Sequence, residues 1–131
     1  MCNSSSFCCP VTCSSDFLPK KQLIGIKRCT PFQSLGDGTT VTTIYTSATT
    51  PTQELPSGII SVVNTSIDCT MEVTVSEDGT ALPSYTVTPQ SSITIDVTRL
   101  SSVTVVCTGT DPSAYYSGSF EANLQYTAYQ S

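Results

Sequence analysis

The sequence predicts an all-β sandwich preceded by an extended, cysteine-rich arm, and three observations predict it. Short runs rich in Val, Ile, Thr and Tyr alternate apolar with polar residues and are separated by Pro, Gly and Asp turns. No stretch shows a helical period of useful length. Four of the seven cysteines (Cys2, Cys8, Cys9 and Cys13) crowd into the first thirteen residues, on a segment too short and polar to fold alone.

The 131 residues divide into an arm at 1–20 and one domain at 21–131. A chain of this length buries a working core without disulfides, so crosslinks in it serve assembly or durability. In the arm, Ser4 to Ser6, Pro10 and Pro19 oppose helix, and Phe7, Val11, Phe17 and Leu18 keep no strand period. Extended at ~3.3 Å per residue, such an arm spans roughly 60 Å, beyond an adjacent small domain.

The first strand is expected from Gln22 to Cys29, with Ile24 and Ile26 on one face, ending at Thr30-Pro31. After a turn at Gly36-Asp37-Gly38 comes Thr39 to Ser47, followed by a proline-bearing loop over 48–57. Gly58 to Asn64 is mostly apolar, as in a strand covered on both faces. Cys69 to Ser76 alternates cleanly and leads into the turn Glu77-Asp78-Gly79-Thr80, which supplies too few oxygens for a calcium loop. Tyr85 to Thr88, Ser92 to Thr98 and Ser102 to Thr108 follow. A loop over 109–117 holds Tyr115 and Tyr116, and Gly118 to Ala128 closes the chain with Phe120, Ala122, Leu124, Tyr126 and Ala128 on one side.

Eight short strands without a helix suit a jelly-roll sandwich. In that topology the fourth and seventh strands are antiparallel neighbours, which brings Cys69 near Cys107 on one face. An internal disulfide between them is expected; the alternative is two buried thiols acting as small apolar residues.

Composition excludes several functions. Charged residues are 11% and the net charge is −5, with five Lys and Arg, so no basic face for nucleic acid exists. The cluster Lys20, Lys21, Lys27 and Arg28 reads as a solvated strand edge. Histidine is absent, which removes the usual general base and the commonest zinc nitrogen ligand. No Cys-x-x-Cys spacing and no glycine-rich phosphate loop occurs. The expectation is therefore no enzyme, no cofactor, no metal and no small-molecule substrate. Asn3-Ser4-Ser5 and Asn64-Thr65-Ser66 match the glycosylation pattern, which chance also produces in a chain nearly a third Ser and Thr.

Seven is odd, so in an oxidising setting at least one thiol is expected to pair outside the chain or stay free. No apolar leader or membrane span follows Met1. With disulfides belonging outside the cytosol, two origins remain open: a mature form, or synthesis inside a cell with oxidation after release. Exposed edges of a low-charge sandwich invite pairing between subunits, and a heterologous contact that does not close yields a filament.

The chain resembles the subunits of the endospore appendage fibres of Bacillus-type spores. The likeness runs from about Ser57 to Tyr126 and is densest in Ser91-Ser92-Ile93-Thr94-Ile95-Asp96-Val97-Thr98-Arg99-Leu100-Ser101-Ser102-Val103-Thr104-Val105. The Cys8-Cys9 pair in an N-terminal arm and Cys29 at the end of the first strand also match. The resemblance implies a jelly-roll subunit that augments its neighbours' sheets in a helical homo-oligomer on the spore surface or outside the cell. It implies that Cys8 and Cys9 are connector thiols bonding to subunits further along the fibre, and that Cys29 is one acceptor. The family's second acceptor lies on the closing strand, where this chain has Glu121. Cys107, Cys69, Cys2 or Cys13 remain candidates to replace it. The alternative function is a small extracellular carbohydrate-binding module using Tyr115 and Tyr116, and a third is a secreted protein whose bridges are all internal.

Overall fold

A computed structural model describes residues 21–47 and 55–129. The arm with Cys2, Cys8, Cys9 and Cys13, and most of the loop expected over 48–57, lie outside the described residues. Every regular element among those described is a strand: β1 (Lys21–Leu35), β2 (Asp37–Thr46), β3 (Ser57–Asn64), β4 (Thr70–Glu77), β5 (Thr80–Ala81), β6 (Tyr85–Val87), β7 (Ser91–Val97), β8 (Leu100–Thr108) and β9 (Tyr115–Tyr129). They form two antiparallel sheets packed as a sandwich. The first has the order β1-β9-β3-β7; the second has the order β2-β8-β4-β5, with β6 also paired to β4.

The alternation read from sequence builds the core. Ile60 and Val62 of β3 and Phe120, Ala122 and Leu124 of β9 point inward from one sheet. They meet Met71, Val73 and Val75 of β4 and Val103, Val105 and Cys107 of β8 from the other, all with almost no exposure. Tyr45 closes one flank, its ring 5.7 Å from that of Phe120. Asn64 is the buried polar exception. Its Nδ2 donates to the carbonyls of Cys69 (2.6 Å) and Val87 (3.1 Å), and its Oδ1 accepts from the Ser66 backbone and hydroxyl. Burying an amide costs little when every group is so matched. An Asn side chain used this way is not presented for glycosylation.

Among the described residues nine strands stand where eight were expected, because the Asp78-Gly79 turn adds the two-residue β5. Both turn residues have positive φ (52° and 81°), the combination that closes a tight hairpin. β1 does not stop at Thr30-Pro31 but continues to Leu35, with Pro31 opposite Ser119. It can do so because β1 is a sheet edge, where a residue lacking an N–H is tolerated. β9 likewise starts at Tyr115, pairing Leu35, so the loop before it is shorter than expected. β3 is covered on one face only: Ile60 and Val62 are buried, whereas Ile59 is 49% exposed.

Candidate functional site

Two rows of outward residues cross all four strands of the β1-β9-β3-β7 sheet. One reads Lys27, Asn123, Ile59, Asp96, and the next reads Cys29, Glu121, Ser61, Thr94. Strand period fixes this arrangement, since residues two apart share a face and paired residues lie side by side. Between the rows is an open hollow of about 480 Å³, bordered on β1 by Lys27, Arg28 and Cys29, on β3 by Ile59 and Ser61, and on β9 by Glu121 and Asn123. Cys29 is an exposed free thiol. Ser61 and Thr94 bond through their hydroxyls at 3.0 Å, which fixes the far side of the second row.

Cys29 and Glu121 are thus direct cross-strand partners. Sequence reasoning named both but had no means of pairing them, because the register of β1 on β9 is a long-range property. Ile59 was missed as a site residue. An apolar side chain at an outward position of a strand was the available signal, and it was absorbed into the expectation of two covered faces.

Cys69 and Cys107 are joined by a disulfide in the structure, with Cα atoms 6.3 Å apart. Cys69 lies just before β4 and Cys107 on β8, and both are fully buried. A pair held this way has no thiol to offer a neighbouring chain. Arg28 lies over the Tyr45 ring, 5.9 Å from its centre, so its charge caps the open flank of the core. Lys27 and Arg28 stand exposed on the β1 edge strand.

The two tyrosines do not form a display pair. Tyr115 is exposed, but Tyr116 packs its ring against Gly36 and Gly109, and its hydroxyl accepts a hydrogen bond from the Asp111 backbone (3.1 Å). A sugar platform built on both is therefore not present in this conformation. Among the described residues, no group of three or more Cys, Asp or Glu side chains is placed to hold a metal ion.

A family model for endospore appendages matches residues 6–128. The chain belongs to the endospore appendage family. Among solved structures it is similar to the one described as "Bacillus endospore appendages form a novel family of disulfide-linked pili". The two are 21% identical, with a TM-score of 0.58, and the match covers 94% of this chain and all of the other. This appendage subunit and the present chain share the β-sandwich fold. Weaker likenesses are to a chain of infectious bursal disease virus Gx strain (13% identity, TM-score 0.43, covering 92% of this chain and 38% of that one). Another is to the VP2 subviral particle of the same virus (14% identity, TM-score 0.40, covering 89% and 34%). At those scores they carry no weight. No curated protein sequence matches the chain.

Proposed function

We propose that this chain is a self-assembling structural subunit of a disulfide-crosslinked appendage fibre on the spore surface, and that it is not an enzyme. The observation that carries the reading is an exposed thiol, Cys29, at an open hollow on the outer face of a member of this family. In the proposal, Cys8 and Cys9 of one subunit's arm are connector thiols, and Cys29 of another subunit is an acceptor. Each bond joins two thiols, whose two protons and two electrons pass to dissolved oxygen. The Cys69–Cys107 bridge stays internal, which leaves Cys2 and Cys13 as the thiols open to stand in for the acceptor that Glu121 replaces. Synthesis in the mother cell followed by oxidation on release accounts for exposed thiols in an assembling subunit.

A jelly roll is the topology we assign. Its support is the strand order: with the small β5 set aside, β1-β9-β3-β7 faces β2-β8-β4-β6, so consecutive strands alternate between sheets at every step but the β4–β6 pair, in the double Greek-key manner. The edges support augmentation. β1 carries Pro31, Lys27 and Arg28, and β6 is three residues long with Pro83 and Pro89 on either side; both are guarded edges. β7, and β2 beyond its opening turn, carry neither proline nor a basic residue. They lie in different sheets, so pairing β7 of one subunit with β2 of the next is heterologous and open-ended.

Denaturing electrophoresis of the purified full chain, boiled with and without reductant, tests the reading. The expected result is a ladder, or material held in the well, that collapses to the 13.9 kDa monomer only on reduction. A single monomer band in both lanes would overturn it.

A further inference from the structure

We propose that the hollow beside Cys29 is a noncovalent seat for Phe7 of another subunit's arm, with Ile59 as its apolar floor. The inference rests on the connector reading and adds a recognition step to it. Ile59 is the large apolar side chain exposed among the hollow's lining residues, and it lies one residue row from Cys29. A single exposed isoleucine is ordinary; one that shares a hollow with a free thiol is placed to bind what the thiol bonds. The arm supplies the complement. Phe7 immediately precedes the Cys8-Cys9 pair. In an extended segment Phe7 and Cys9 share a face, so bonding through Cys9 brings the ring to the hollow.

Size and reach agree. About 480 Å³ lies within the range, from ~300 Å³ upward, of clefts that hold small ligands, so it admits an aromatic ring with adjoining backbone. Phe7 lies fourteen residues before Lys21, where β1 starts. At ~3.3 Å per residue that is about 46 Å of chain. On the connector reading the occupant is the arm of a different copy. Seating first raises the local concentration of the thiols around Cys29, so oxidation there outpaces random pairing.

The test follows arm-to-Cys29 crosslinking by peptide mapping during air oxidation of the full chain. The variants are Ile59→Thr, Phe7→Ser, their double, and Cys29→Ser. Ile59→Thr keeps a β-branched residue at an outward position, and an unchanged thermal midpoint checks that it folds. Each single seat variant is expected to slow formation of the Cys29 crosslink roughly tenfold, the scale set by losing one buried aromatic contact. The double variant should be no slower than either single. Unchanged rates in Ile59→Thr and Phe7→Ser, while Cys29→Ser loses the crosslink, would overturn the seat and leave the connector reading standing. A Cys29→Ser ladder identical to that of the parent would overturn both. An arm-to-Cys29 link found within a monomer band would show that the occupant is the chain's own arm, which also overturns the proposal.

Discussion

Asp37 shows how much one side chain organises at the start of β2. Its Oδ1 accepts from the Thr39 and Thr40 backbones (2.9 and 2.8 Å), and its Oδ2 accepts from the Thr40 hydroxyl (2.6 Å). These bonds, the Thr40 hydroxyl foremost, hold its pKa at about 2, below the ordinary 3.8. Because the folded value is the lower one, the stabilisation is present above about pH 3.8 and is lost as pH falls toward 2. Asp37→Asn should therefore lower the denaturant midpoint at neutral pH, and the gap to the parent should close near pH 2. A gap that is constant with pH would mean the carboxylate charge is not the cause. The sequence revealed a turn here, and the partners of the carboxylate lie only two and three residues on, so this signal was local and went unused. Cys29 meets a different limit at this scale. Its place on the first strand was legible, although it lies mid-strand and not at the end expected, and its pairing with Glu121 depended on a register that local pattern does not encode.

At the scale of elements, alternation located all eight expected strands, and the errors fell where tertiary context overrules local signals. Pro31 looked like a stop and is an edge residue of β1; Tyr115 and Tyr116 looked like loop and begin β9. One contact explains the second case. Gly36, at the β1–β2 turn, donates to the Ala114 carbonyl (2.9 Å), and the Gly109 backbone donates to the Gly36 carbonyl (3.1 Å). The Tyr116 ring lies over both glycines, where any Cβ would overlap it. That stack ties the turn to the β8–β9 connection and starts β9 early. Gly109→Ala should cost roughly 1–3 kcal/mol by overpacking. Combined with Tyr116→Ala, it should cost much less than the sum of the two single changes. Additive losses in chemical denaturation would show that the ring is not the obstacle.

At the scale of the whole molecule, the two-sheet sandwich and the absence of helix among the described residues follow from composition and period alone. The pairing order across sheets needed the structure. Under the proposed function, the domain and its arm are separable. Deleting residues 1–13 should leave a folded domain with the thermal midpoint of the parent but no reductant-sensitive ladder. Durable, reduction-sensitive polymers from the truncated chain would show that bonding does not need the arm thiols. The two kinds of sulfur also differ in access. Cys69 and Cys107 are sealed in the core, and Cys29 stands in solvent. A water-soluble reductant reaches the second long before the first, which it meets only when the domain opens. Viewed as a material, a fibre fastened as proposed would have rivets that can be drawn and reset. Mild reductant would free the connectors while each brick stays clamped from within, and air would close them again.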